Sequence, residues 1–531
     1  MTRRKKLIII VVICVLMLVA IGITLAILLR DSERDAETGG RKPAVLQRPT
    51  TETTEDNDTT ESDVQSGVEA ETPNATENNT NISKNVPDYS NSEKRMNLYA
   101  YRGSSDGVFT NEKGDMIGYQ DYRTIEEFKR YKDCGFDVMF IPGADPYNGE
   151  NYEYSSTKNN LDMCQEVGLK VIFQDKRIAD LTRGTESLVG QGKQFATMDA
   201  LVQKLREYMA PYVNHPAFYG LALKDEPTYE YFEPISQVQR ALRIIKPDIF
   251  INEALLPYIP EWITTGQCNG TDSKANATLS DYETYLSAYL EKTGTNRLTY
   301  DHYPFRTDKF FENYFVNLQK ATEVTAKYNA DLELIVQSFA TDAWRKPEKS
   351  DLYFQNNAAL AFGVKNIAYF TYWRGSKTTL DTFQCGILNY DGSKMLYDEV
   401  QEVNAYTQKM ASVILNFDYE KAQVAYSGSI PKYFANLKSE MLQDIASVNA
   451  TQPTIVTQML DKGQNRRGYM VMNAQADTEA VQSDTVTLTF TSAYSKVTYY
   501  NDGVRKTTTL NDKQVTFELG RGKAVFVIPH N

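Results

Sequence analysis

The chain reads as an α/β protein: a (β/α)8 TIM barrel with a C-terminal all-β sandwich, preceded by a transmembrane helix and a disordered stalk. Three observations predict this. An uncharged apolar run opens the sequence behind a basic cluster. Between about Met96 and Leu415, short apolar stretches alternate with amphipathic ones. From about Asp418 onward the pattern becomes apolar and polar residues in alternation between turn signals. The boundaries that follow are 1–30 for the membrane anchor, 31–94 for the stalk, 95–416 for the barrel and 417–531 for the sandwich. A chain of 531 residues exceeds one ordinary domain, which agrees with this division.

The anchor comes first. Arg3, Arg4, Lys5 and Lys6 precede an apolar run from Leu7 to Leu29. At about 1.5 Å per residue, such a run spans a bilayer. Basic residues stay on the cytoplasmic side, so a single-pass cell-membrane protein with its bulk outside the cytoplasm is expected. A cleaved signal peptide would carry a shorter apolar region ending in small residues. Here the run ends Ile27-Leu28-Leu29-Arg30, which favours an uncleaved anchor.

The stalk follows. TTETTEDNDTTESD and ETPNATENNTNISKN are rich in Thr, Glu, Asn, Asp and Ser and nearly empty of large apolar residues. A segment of that composition buries too little surface to offset its ordering entropy. Asn-x-Ser/Thr triplets start at Asn57, Asn74, Asn78 and Asn81.

The barrel strands are read as NLYAY, FDVMFIPG, LKVIFQD, FYGLALKDEP, IFINEALLP, RLTYDHYPF, ELIVQSFA and NIAYFTYW. Helical runs between them include TIEEFKRYKDCG, where Thr124 and Glu127 form a capping box and Gly135 ends the helix. LVQKLREYMAPYV, PISQVQRALRIIK, FENYFVNLQKATEVTAKY, FQNNAALAFG and LYDEVQEVNAYTQKM are others. Eight strands alternating with helices over roughly 300 residues is the arithmetic of a (β/α)8 barrel. A doubly wound sheet is the rival, but no Gly-rich phosphate loop follows the first strand.

Composition excludes several functions. A net charge of −12 argues against a nucleic-acid partner. The five cysteines show no CxxC spacing, so neither a disulfide framework nor a zinc site is expected. With three histidines, a His-rich metal hydrolase is not expected either; a carboxylate-bound calcium stays open, and the residues call for no other cofactor.

Active sites of such barrels sit at the C-terminal strand ends. There the sequence places Tyr101 (strand 1), Arg177 (3), Asp225 and Glu226 (4), Asn252 and Glu253 (5), Asp301, His302 and Tyr303 (6), Gln337 (7), and Tyr372 and Trp373 (8). Carboxylates, amides, arginine and aromatic faces on one rim suit a carbohydrate: carboxylates for proton transfer, amides for hydroxyls, aromatic faces for the apolar side of a ring. The bland reading of Asp225 and Glu226 is a solvated strand end before Pro227. Successive strand residues also point to opposite sides, so without a bulge both would not enter the barrel.

The order GLALKDEP, INEALLP, TYDHYPF, IVQSF and IAYFTYW resembles the glycoside-hydrolase barrels of the clan that contains the β-galactosidases. Closer still is its similarity to secreted bacterial barrel proteins with a DEP strand 4 and a D-x-YPF strand 6. The resemblance covers about Met96 to Lys409. It implies that Glu226 is the acid/base residue, with Asp225 where the clan usually has Asn. It also implies a nucleophilic Glu at the end of strand 7, where this sequence has Gln337. An amide cannot fill that role, and Glu333 lies at the strand's beginning. Asp301 is then the first substitute and Glu253 the second. A pair drawn from strands 4 and 6 would suit inversion through water. The expected function is an extracytoplasmic glycoside hydrolase using Glu226 and Asp301. Asp225, Asn252, Glu253, His302, Tyr303, Gln337, Tyr372, Trp373, Arg177 and Tyr101 are expected to contact the sugar. The alternative is a non-catalytic glycan-binding surface protein that has lost its nucleophile.

The final 110 or so residues alternate as GYMVMNA, DTVTLTF, KVTYYNDG, VRKTTTL, QVTFELG and KAVFVIP. NDG at Asn501–Gly503 is hairpin chemistry, and LGRGKA is a second turn.

Overall fold

The computed structural model describes residues 85–104, 108–110, 116–119, 121–141, 156–375, 383–476, 483–491 and 494–531. The expected anchor, and the expected stalk up to residue 84, lie outside these. Among the described residues, no helix is long and apolar enough to cross a membrane.

Eight chain segments form the barrel: β1 (Asn97–Ala100), β2 (Val138–Ile141), β3 (Lys170–Phe173), β4 (Phe218–Ala222), β5 in two pieces (Phe250–Asn252 and Ala254–Leu255), β6 (Arg297–Asp301), β7 (Asp331–Gln337) and β8 (Asn366–Phe370). All pair in parallel with their sequence neighbours, and β1 pairs with β8 in register Asn97↔Asn366. The first piece of β5 pairs with β4 (Gly220↔Phe250), and the second pairs with β6 (Ala254↔Thr299). The sheet therefore closes through β5. Gly220 permits that closure: a Cβ there would meet the Phe250 carbonyl oxygen at 1.9 Å.

Among the described residues, eight longer helices surround the strands: α1 (Ile125–Asp133), α2 (Ser156–Val167), α3 (Met198–Met209), α4 (Phe232–Ile245), α5 (Leu279–Thr293), α6 (Tyr314–Lys327), α7 (Lys349–Ala361) and α8 (Tyr397–Ile414). Two of them, α2 and α5, escaped the apolar-periodicity reading. The buried face of α5 sets Leu286 and Leu290 among Tyr282, Tyr285 and Tyr289, and the tyrosines do not stand out as an apolar stripe. The cap of α1 is half of the expected box. Thr124 Oγ1 accepts the Glu127 N–H at 3.3 Å, but Glu127 turns to Arg130 instead of back to Thr124. Gly135 follows with φ +94°, as a helix stop requires. The four described cysteines are buried and free.

The C-terminal part stacks two antiparallel sheets. Its strands are β9 (Asp418–Ala425), β10 (Ile445–Ala450), β11 (Thr454–Asp461), β12 (Arg466–Asn473), β13 (Asp484–Phe490), β14 (Lys496–Asn501), β15 (Val504–Thr509), β16 (Gln514–Leu519) and β17 (Ala524–His530). One sheet runs β9-β11-β12-β17-β14-β15 and the other β10-β13-β16. Val456, Val471, Val486, Leu488 and Val525 pack between them. Asp502 and Gly503, both at positive φ, close the β14–β15 hairpin as the NDG sequence dictates.

The sandwich docks on the barrel through the second predicted turn. Arg521 is buried, donates to the carbonyls of Gln475 and Ala476, and pairs with Asp351 of α7 at 2.5 Å. Asp351 also holds Arg345 at 2.5 Å. Gly522 lies so close to α7 that a Cβ would come within 2.4 Å of the Ser350 carbonyl oxygen. The last residues of the expected stalk belong to this body as well. Val86 and Tyr89 are buried, and the Tyr89 hydroxyl donates to Asp461 at 2.6 Å. These two apolar side chains give residues 85–94 something to bury.

Candidate active site

The strand ends β1, β4, β5 and β6 converge on a cavity of about 500 Å³. Asp225, Glu226 and Asp301 face it together, with Tyr101, Asn252 and Tyr303. β4 stops at Ala222, and Glu226 takes φ +42° while its N–H donates to the Ala254 carbonyl at 2.9 Å. The chain has left the strand before the acidic pair, so strict alternation no longer applies and both carboxylates reach the cavity.

Burial raises the Glu226 carboxyl to about 7, and the neighbouring Asp225 carboxylate pushes the same way. Burial also raises Asp225, against the opposing Lys224 ammonium. Both side chains remain open to cavity water, which moderates these shifts. Asp301 is shielded from solvent, and its carboxyl lies well above the usual range. Burial is the first cause and the carboxylates of Glu226 and Asp225 are the next; the Tyr303 hydroxyl acts in the opposite direction. Asp301 Oδ1 is buried without a hydrogen-bond partner. Three carboxyl groups that resist ionising together share protons as a set.

Beneath them runs a polar relay. Tyr101 Oη donates to Asn252 Oδ1 at 2.8 Å, and Asn252 Nδ2 donates to Tyr99 Oη at 2.8 Å. Tyr99 in turn donates to Glu333 at 2.5 Å. Glu333 sits inside the lower barrel, also bonded to Thr299, and does not line the cavity.

A second cavity, of about 340 Å³, shares Glu226, Asp301 and Tyr303 with the first. His302 lines it, together with Trp262, Phe311 and Trp344. Burial holds the His302 ring neutral, with a pKa lowered to about 3, and both its nitrogens lack partners.

Five expected contacts lie elsewhere. Glu253 points outward between β5 and the helices, where Gln239 and Tyr289 donate to it at 2.6 and 2.9 Å. Asn252 and Ala254 line the cavity, so alternation turns Glu253 away. Gln337 turns into the loops after β6 and β7 and bonds backbone groups of Phe305, Phe339 and Arg345. Arg177 is tied to the buried Asp175 at 2.5 Å and lies over Tyr208. Tyr372 and Trp373 are buried against Tyr131 and Tyr122, respectively, as barrel packing. Phe370 of β8 faces the cavity in their place. Arg102, Gln174 and Lys224 also line it. Trp262, Phe311 and Trp344 carry no strand-end signal, because they stand on loops well past β5, β6 and β7.

No model of a known protein family matches the chain, and no curated protein matches it. Solved structures do. A glycoside hydrolase family 5 protein from Bacteroides vulgatus superposes with a TM-score of 0.50 at 8% identity, covering 82% of this chain and 89% of that one. An Anoxybacillus α-amylase matches at TM-score 0.46 and 11% identity over 84% of this chain and 99% of that one. A GH27 β-L-arabinopyranosidase from Geobacillus stearothermophilus, solved with arabinose, matches at 0.42 and 10%, over 83% and 99%. The likeness to the family 5 structure is one of fold, a parallel (β/α)8 barrel.

Proposed function

We propose that the protein hydrolyses a glycosidic bond placed across the junction of the two cavities, with Glu226 as general acid and Asp301 as the second carboxylate. The observation that carries this reading is the pair itself. Glu226 and Asp301 both face both cavities, and the Glu226 carboxylate hinders the ionisation of Asp301. A coupled pair holds one proton over a wide pH range, which supplies an acid and a carboxylate at once.

In the free cavity both carboxyls are raised, so a proton can rest on either. A sugar hydroxyl donating to the unpartnered Asp301 Oδ1 would favour the charged form and leave the proton on Glu226. The exocyclic C–O bond then breaks as the Glu226 proton passes to the leaving oxygen. Water adds its oxygen to the anomeric carbon and gives its proton to Asp301. Tyr101, Asn252, Lys224 and Asp225 line the deep cavity and would meet sugar hydroxyls. β7 contributes Ile335 to that cavity rather than a carboxylate, so the second acid has to come from another strand.

The cluster Arg3–Lys6 before the apolar run supports the further reading that this head is carried outside the cytoplasm on a single anchor. A panel of chromogenic glycosides tests the activity. Turnover that Glu226→Gln abolishes for poorly activated substrates, and largely spares for activated ones, supports Glu226 as the acid. Binding of sugar without turnover, unchanged in Glu226→Gln, would replace the reading with a glycan-binding one. Protease added to intact cells tests the topology, and a head that stays protected there refutes it.

A further inference from the structure

The deep cavity and its neighbour differ in chemistry. The deep one presents Arg102, Gln174, Lys224, Asp225 and Asn252, a set suited to a polyhydroxylated ring. The second, beyond the carboxylates, is walled by Leu256, Ile259, Trp262, Phe311 and Trp344. The three rings form a corner. Trp262 lies edge to face on Phe311 at 5.3 Å and on Trp344 at 6.2 Å. The Trp344 indole N–H is spent on the Tyr303 carbonyl at 3.1 Å, which fixes its plane. The Arg306 guanidinium lies against all three rings from one side, at 4.5 Å from Trp344, 5.7 Å from Phe311 and 5.9 Å from Trp262. Trp262 nevertheless leaves 52% of its surface exposed, an unusual state for the largest apolar side chain.

Beyond the three groups shared at the junction, His302 is the polar side chain that this cavity adds. It is 1% exposed, and neither ring nitrogen has a partner. Leaving both buried nitrogens unpaired is costly unless something completes them. A neutral imidazole offers one donor and one acceptor on opposite edges of its ring, and a ligand hydroxyl can pair with the one it meets.

Resting on the hydrolase reading above, we propose that this second cavity is the leaving-group pocket and that it takes a flat apolar ring bearing a hydroxyl. The substrate class is therefore a glycoside with an aryl or similarly flat aglycone, rather than an oligosaccharide. A second sugar would bring several hydroxyls to a wall that provides little to bond them. The ring lies in the corner of Trp262, Phe311 and Trp344, and its hydroxyl meets His302.

The test uses the purified full-length chain and 2-naphthol, a flat aryl alcohol without a sugar, titrated by calorimetry. Millimolar or tighter binding is expected, weakened about tenfold by Trp262→Ala. Trp262 is half exposed, so that variant should fold; Trp344→Ala is the second variant. Undetectable binding to the wild type, or equal affinity in both variants, overturns the proposal. Chromogenic glycosides are assayed in parallel. Turnover without naphthol binding leaves the hydrolase reading standing and refutes the pocket. Trp262-dependent naphthol binding without turnover retains the aryl pocket and refutes the hydrolase.

Discussion

Gln337 holds both backbone groups of Phe305: its Oε1 accepts the Phe305 N–H at 3.1 Å, and its Nε2 donates to the Phe305 carbonyl at 3.3 Å. The same Nε2 reaches the carbonyl of Arg345 at 3.0 Å. The residue at the end of β7 is thus a clamp between two loops, not a displaced nucleophile. Gln337→Glu would point a carboxylate at those carbonyls and lose the donor. It should create no activity and should lower stability by about 1–3 kcal/mol, read from the urea midpoint.

Glu226→Gln should reduce kcat/KM about 10²–10⁴-fold on substrates with poor leaving groups. The wild-type rate needs Glu226 protonated. It should therefore fall as pH rises through about 7, and an acid limb should appear where Asp301 takes up its proton. The same alkaline limb should be missing from whatever activity the variant retains, in a pH–rate profile.

Asp301→Asn separates two roles. If Asp301 takes the proton of water, kcat collapses and added azide restores turnover with an inverted product. If it only holds a sugar hydroxyl, KM rises and most of kcat survives, since an amide still hydrogen-bonds.

Glu253 governs pH stability rather than chemistry. Burial raises its carboxyl to about 8, against the bonds from Tyr289 and Gln239. The fold keeps the proton, while the unfolded chain gives it up near the ordinary carboxylate value. Its contribution is therefore fully present below about pH 4.5 and lost as pH rises toward 8. Glu253→Gln, a neutral isostere, should match wild type at pH 4.5 and exceed it at pH 8. The gap is on the order of 4 kcal/mol, measured by denaturant unfolding at both values.

Arg521→Met should uncouple the sandwich from α7. Asp351 keeps Arg345 but loses the charged bond from the buried Arg521, at a cost of about 1.5–3 kcal/mol. Differential scanning calorimetry should show a lower transition temperature.

Barrel and sandwich were legible because their periodicities differ and because every barrel strand is a short apolar run with polar ends. Six of the expected site residues line a cavity, Tyr101, Asp225, Glu226, Asn252, Asp301 and Tyr303, and His302 lines the second one. The strand-end rule found them. It failed for Glu253 because it names an end and not a side, although the parity of Asn252 already pointed Glu253 outward. It failed for Arg177, Tyr372 and Trp373 because the chain has turned by those positions. Trp262 and Trp344 were beyond its reach, since a loop's path is fixed by tertiary contacts such as Trp344 to Tyr303 and not by any local pattern.

The handover in β5 has one more consequence. Phe250–Asn252 serves one neighbour and Ala254–Leu255 the other, so a single short segment leaves the barrel sheet with no free edge. An edge strand is a template on which a foreign chain can add itself. If this segment frayed, β4 and β6 would be bared at the same moment, and the barrel would offer two such templates side by side. Resistance to intermolecular strand addition therefore rests on five paired residues, the same stretch that carries Asn252 beneath the carboxylates.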